Sequence, residues 1–364
     1  MSCLEGLLEY YRLTGEKRVF EAVCAIRDNL EKHEKNALGG VGYCDKFCAA
    51  AKRMNALTEV CDSVHWIRLN RDMFMLTGDA KYLDAMEETY FNAFLGGILR
   101  DGTYTAFAVR AAQRHHVDYQ CGYKYNHCCT DNAPRTFVDM AETTVTRDVN
   151  HTLFVNFYQD ADVTVDGARI EISGDYPVKQ SVTVKITTDI RRSVRFRIPG
   201  FGLKPTTWRK ETVPAGGKTF QLWFGMKPQL VERDAARDSD IPEDPSKSWF
   251  FIRYVTKPYS VPGFDDIRKG FRMEPAAYIK RGPLVLAKAK RISDTHNQIF
   301  SDASVNGKGY SVSLKPVQTD GVWGAWEATL TKPGEKSFKV GVCDFQSAGD
   351  ENLPEWADAF SIWF

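Results

Sequence analysis

A ten-residue pattern occurs twice near the start of the chain. Leu13-Thr14-Gly15-Glu16-Lys17-Arg18-Val19-Phe20-Glu21-Ala22 returns 63 residues on as Leu76-Thr77-Gly78-Asp79-Ala80-Lys81-Tyr82-Leu83-Asp84-Ala85. In each copy Thr-Gly ends one helix, because glycine accepts the left-handed conformation at a helix stop. The acidic residue then opens the next helix, where its charge meets the positive end of the helix dipole. Ahead of the second turn, Trp66, Leu69, Met73 and Leu76 mark one helical face at three- and four-residue spacing. Repeated helical hairpins predict stacked helix pairs. A closed ring of such pairs, an (α/α) toroid, buries every hairpin, and the repeats here make up about half of one.

The pattern changes near Asn150. Ser181–Thr187 and Ser193–Ile198 alternate with period two, the second ending at Pro199-Gly200, and both read as half-buried strands. Asp234–Lys247 is polar with Pro242 and Pro245, and reads as a linker or long loop. Further strands are expected at Trp249–Val255, Ala277–Ala287, Tyr310–Leu314, Trp326–Leu330 and Phe338–Val342. Short strands separated by turns predict one or two β-sandwich modules. The expected order is therefore helices first and strands second. It divides into a helical domain at 1–150, a β-sandwich domain at 151–247 and a second β-sandwich region at 248–364.

The 364 residues give room for two or three domains. A formal net charge of +1 supplies no global field towards nucleic acid or anionic lipid, and neither is expected as a partner. No apolar run has transmembrane length, and no basic segment followed by an apolar stretch opens the chain. Nine cysteines, an odd and scattered count, suit a reducing compartment, so a cytoplasmic location is expected. The 8 Trp, 15 Tyr and 22 Phe suit either aromatic sugar clefts or large β cores.

Glu59-Val60-Cys61 is followed, 67 residues after Cys61, by the adjacent pair Cys128-Cys129. Three thiols and a carboxylate can make one tetrahedral site, and thiolates favour zinc. A thiolate held there is also a potential nucleophile. On a helix Glu59 and Cys61 would lie about 200° apart. Sharing a metal therefore requires a turn or a helix start, with Thr58 as a candidate N-cap. Cys128 and Cys129 fall in a stretch without periodicity. The rival reading is buried, inert cysteines.

Ordered motifs carry a family resemblance. Thr58-Glu59-Val60-Cys61, Leu76-Thr77-Gly78-Asp79, Glu87, Tyr90-Phe91-Asn92 and Cys128-Cys129-Thr130-Asp131-Asn132 with Arg135 come first. Val155-Asn156-Phe157-Tyr158, Tyr176-Pro177, Arg197-Ile198-Pro199-Gly200 and Arg281-Gly282-Pro283-Leu284-Val285-Leu286-Ala287 follow. In this succession the chain resembles the β-L-arabinofuranosidases of glycoside hydrolase family 127. The resemblance implies an (α/α)6 barrel, here about its C-terminal half, followed by β-sandwich domains. It implies zinc held by Glu59, Cys61, Cys128 and Cys129. It also implies Cys128 as the nucleophile of a retaining hydrolase acting on β-L-arabinofuranosides or related plant-polysaccharide sugars.

Glu87 stands where the family has a sugar-binding glutamate; otherwise it reads as an exposed helix glutamate beside Glu88. His127 borders the nucleophile as a candidate for substrate hydroxyls, although the family's histidine lies one position earlier, at Asn126 here. His115-His116 reads as a loop pair without function. The family's acid/base glutamate follows a Gly-Gly-Ile-Gly segment. Here Gly39-Gly40-Val41-Gly42 is followed by Tyr43-Cys44-Asp45-Lys46-Phe47. Asp45 is the nearest carboxylate and the candidate acid/base, with a surface Asp45-Lys46 ion pair as its alternative. Cys44 and Cys48 either line the site or pack. The resemblance also implies a missing N-terminal half-ring, and with it any export signal. A second chain or another copy would then complete the barrel. The rival function is a catalytically impaired, zinc-stabilised sugar-binding or structural remnant.

Overall fold

The computed structural model describes residues 1–42, 47, 58–98, 108–109, 112–113, 128–233, 276–289, 292, 309–348, 360–362 and 364. Asp45, Cys44, Cys48, His115, His116, His127, the segment 234–247 and the strand expected at 249–255 lie outside them. Helices come first and sheets second, as the sequence predicts. The helices are α1 (Ser2–Thr14), α2 (Lys17–His33), α3 (Val60–Thr77), α4 (Ala80–Thr89) and α5 (Cys128–Thr144). No described helix is long and apolar enough to cross a membrane.

The repeated turns form as read. Gly15 and Gly78 follow α1 and α3 at φ 71° and 70°. Thr14 Oγ1 donates to the Tyr10 carbonyl at 2.8 Å and accepts from Glu16 N at 3.2 Å. Thr77 repeats both bonds, to Met73 at 2.7 Å and from Asp79 at 3.1 Å. The copies differ in one atom group. Asp79 Oδ1 caps α4 by accepting from Lys81 N at 3.0 Å, whereas the longer Glu16 makes no side-chain cap. Trp66, Leu69 and Met73 are fully buried, and Leu76 is half-buried.

The chain forms two compact units, each assembled from separated stretches. One comprises Met1–Trp66, Glu88–Ala133 and Pro228–Phe364. It holds β1 (Thr58–Glu59) paired with β2 (Ala108–Val109), and β3 (Ala112–Gln113). The other comprises Ile67–Glu87 and Pro134–Lys227. Its strands are β4 (Val145–Arg147), β5 (Leu153–Val155), β6 (Ala161–Val165), β7 (Ala168–Ser173), β8 (Ser181–Thr187), β9 (Arg192–Ile198), β10 (Thr207–Val213) and β11 (Lys218–Trp223). They make two four-stranded sheets, ordered β10-β9-β5-β4 and β11-β8-β7-β6. Phe196 of β9 meets Phe220 of β11 with ring centroids 4.8 Å apart, so the two sheets share one core. Val182, Val184 and Ile186 of β8 are buried in alternation, the period-two pattern of a half-buried strand.

The remaining strands belong to the first unit. They are β12 (Pro228–Arg233), β13 (Ala276–Arg281), β14 (Leu284–Ala289), β15 (Ser311–Val317), β16 (Ala325–Thr331), β17 (Phe338–Asp344) and β18 (Phe360–Ser361). Six run in the order β12-β13-β14-β17-β16-β15 with the end strands close together, and β18 bridges β14 and β3. The single strand expected at Ala277–Ala287 is corrected to a hairpin. Gly282, at φ 59°, turns the chain so that Arg281 pairs with Leu284. Behind α4, a π-helical turn at Tyr90–Phe94 carries Asn92, which donates to the Pro283 carbonyl and accepts from Val285 N, both at 2.8 Å. Leu38, Ala93, Val285, Ala287, Phe345 and Ile362 fill the core around this contact.

Candidate metal centre

Glu59 is the last residue of β1, and Cys61 lies in the first turn of α3. The strand-to-helix junction therefore resolves the rotation problem that a continuous helix would pose. Thr58, the candidate N-cap, lies in β1, two residues before α3 begins at Val60, and accepts from Asn36 Nδ2. Cys128 and Cys129, expected in irregular chain, are instead the first two residues of α5. Two helix N-termini thus meet at the cluster, and their dipoles favour negative charge there.

The ligand atoms of Glu59, Cys61, Cys128 and Cys129 all lie within 4.8 Å of one another. The Sγ atoms of Cys61 and Cys129 are 3.5 Å apart, and those of Cys128 and Cys129 are 4.0 Å apart. Glu59 Oε1 is 3.2 Å from Cys129 Sγ and 3.7 Å from Cys128 Sγ. A tetrahedral zinc ion with bonds near 2.3 Å to sulfur would set sulfurs about 3.8 Å apart, and sulfur and oxygen about 3.5 Å apart. The observed separations bracket both values, so the donor set fits such an ion. No disulfide forms among the described cysteines.

Burial is uneven. Glu59, Cys61 and Cys129 are buried, while Cys128 is exposed. Asn132, one turn after Cys128, donates from Nδ2 to Cys61 Sγ at 3.3 Å. The three thiols lie close enough for each to shift the others' ionisation. The hydrogen bond shared with Cys129 does most to lower the Cys61 pKa to about 6, against the effect of burial. Cys128 is pushed up to about 12, first by burial and then by the charge on Cys61. Cys129 is pushed far up, first by its hydrogen bond to Cys61. One thiolate thus suppresses ionisation of its neighbours, the repulsion a bound cation would relieve.

The loop before Asp45 packs tightly beside the cluster. A Cβ on Gly40 would come within 2.5 Å of Thr58 Oγ1. One on Gly42, at φ 98°, would come within 2.9 Å of the Asp62 carboxylate, next in sequence to Cys61. Farther along α3, His65 Nδ1 lies 2.7 Å from Glu5 Oε1.

Glu87 is 2% exposed, so its alternative as an exposed helix glutamate does not hold. Tyr176 Oη donates to its Oε1 at 2.7 Å, and Arg197 Nη2 lies 2.5 Å from Oε2. Burial raises its pKa, while Arg197 and Tyr176 oppose the rise. Asn132, Arg197 and Tyr176 stand in the sequence motifs, but spacing alone assigns them no role. Asn132 gains one because α5 begins at Cys128, which puts Asn132 a single turn away.

The model of the β-L-arabinofuranosidase GH127 catalytic domain matches residues 2–142. No curated protein matches the sequence. Among solved structures, a GH127 β-L-arabinofuranosidase from Geobacillus stearothermophilus superposes with a TM-score of 0.67 at 15% identity, over 99% of this chain and 59% of that one. A second GH127 β-arabinofuranosidase gives 0.66 at 16% identity, over 100% of this chain and 58% of that one. A glycoside hydrolase gives 0.66 at 16%, over 99% and 64%. The chain thus spans about three fifths of the length of these structures. Residues 2–142 are thus similar to the GH127 catalytic domain, and the fold of the whole chain is similar to that of these structures.

Proposed function

We propose that this chain is a retaining glycoside hydrolase with a zinc-bound cysteine nucleophile, acting on β-L-arabinofuranosides or related plant-polysaccharide sugars. The convergence of Glu59, Cys61, Cys128 and Cys129 within the family-matched segment carries the reading. Residues 1–150 are read as the C-terminal half of an (α/α)6 barrel, 151–247 as a β-sandwich domain and 248–364 as a second β-sandwich region.

Cys128 is the exposed sulfur of the cluster, and so the one a sugar can reach. Its thiolate attacks the anomeric carbon; a carbon–sulfur bond forms as the glycosidic carbon–oxygen bond breaks. A carboxylic acid, for which Asp45 is the candidate, gives its proton to the leaving oxygen. The same carboxylate then takes a proton from water, which displaces Cys128 and regenerates the thiolate. Two displacements at one carbon retain the anomeric configuration. When bound, zinc keeps the cluster's sulfurs deprotonated at neutral pH. His127 is the candidate for substrate hydroxyls. Glu87 would take that role by exchanging Tyr176 or Arg197 for a sugar hydroxyl.

The test is metal analysis and turnover of the purified full chain. Stoichiometric zinc is expected, lost in Glu59→Ala and Cys129→Ala. Hydrolysis of an aryl β-L-arabinofuranoside with retention, followed by proton NMR, is expected to vanish in Cys128→Ala. A folded protein without metal rejects the reading.

A second reading is a sugar-binding remnant, favoured by the lack of a glutamate after Gly39-Gly40-Val41-Gly42. It predicts zinc uptake and furanoside binding with no turnover. Completion by a second chain or another copy is also part of the proposal. Leu7, Tyr10 and Leu13 of α1 are exposed and supply an apolar face for it. Sedimentation analysis is expected to show association that weakens in Leu7→Ser/Tyr10→Ser.

A further inference from the structure

We propose that Asn132 is a positioning residue that clamps Cys61 as a fixed metal ligand and thereby separates its role from that of Cys128. This deepens the metal-centre reading above and rests on it. Asn132 Nδ2 is 3.3 Å from Cys61 Sγ, close enough for an amide to donate to a thiolate. A donor there draws charge from the sulfur and fixes its orientation, which lowers its nucleophilicity while leaving it able to ligate.

Cys128 has a different environment. Its sulfur faces Glu59 Oε1 at 3.7 Å and Cys129 Sγ at 4.0 Å, and no amide donor reaches it among the described residues. It is also exposed, whereas Cys61 is 6% exposed. One helix arranges both properties. Cys128 and Asn132 are four residues apart on α5 and so share a face. The turn that presents the attacking sulfur therefore also presents the donor that restrains the opposite one. The contact joins positions 71 residues apart, and no local turn chemistry requires it.

The experiment loads the full chain with Co(II) alone, in wild type, Asn132→Leu and Asn132→Asp. Leu removes the donor at similar volume. Asp keeps the shape, removes the donor and adds repulsion, so it covers a folding failure of the Leu variant. The readouts are the sulfur-to-cobalt charge-transfer band, metal affinity by chelator competition, and the sites labelled by iodoacetamide. Both variants are expected to move the band to longer wavelength, because the Cys61 sulfur becomes richer in charge. Affinity is expected to fall about 10-fold or more. In loaded wild type, iodoacetamide is expected to label Cys128 and spare Cys61. An unchanged band and affinity in both variants overturns the proposal, as does labelling at Cys61 in wild type. Failure of wild type to take up Co(II) overturns the metal centre itself, and this assignment with it.

Discussion

Glu87 and Glu88 are neighbours in sequence with opposite electrostatic fates. Burial raises the pKa of Glu87 despite Arg197. Burial would do the same to Glu88, but Lys280 and Lys35 hold it well below the usual carboxylate range. Lys35 reaches Glu88 Oε2 at 3.1 Å and also bonds Glu31, while Lys280 of β13 bonds Oε1. A depressed folded pKa stabilises the fold above the unfolded value of about 4.3, and that contribution is lost as pH falls through the folded pKa. Glu88→Gln is therefore expected to lose about 3 kcal/mol at pH 7 by urea denaturation. The gap to wild type should narrow as pH drops below about 4. A gap independent of pH would sink the assignment. The sequence offered little here, since both glutamates sit on one helical segment and their partners lie 53 to 192 residues away. The metal ligands were legible because their chemistry is rare; ordinary carboxylates carry no such mark.

Among the secondary-structure elements, the two Leu-Thr-Gly-acid turns are a natural controlled comparison. They share the left-handed glycine and both threonine bonds, and differ in the cap. Asp79→Ala should lose about 1 kcal/mol of stability in thermal unfolding, and Glu16→Ala no more than a few tenths. Equal losses would mean that charge near the helix start, not the cap bond, sets the effect. These turns were readable because glycine and threonine act locally. The break in Ala277–Ala287 was marked by Lys280-Arg281-Gly282-Pro283, but the buried arms Ala277–Ile279 and Leu284–Ala287 on either side read together as one strand. The start of α5 at Cys128 was hidden likewise: Pro134 stands inside that helix, where sequence rules favour an end or a kink.

At the scale of the whole molecule, the two compact units do not follow chain order. Helices α3 and α5 each begin in one unit and end in the other. Periodicity told helix from strand, but which distant stretches share a core depends on contacts that no window of sequence contains. The four ligands nevertheless belong to one unit, on segments widely separated along the chain. An ion bound to them would turn the chain between Cys61 and Cys128 into a closed ring that a chelator reopens. Treated as a cross-link, such a ring of 67 residues removes about 4 kcal/mol of unfolded-chain entropy. A chelator should therefore lower the melting temperature reversibly, and excess zinc should restore it. Supply would then govern abundance: a cell short of the metal would lose the protein to unfolding and proteolysis, so its level would track metal availability even at constant synthesis.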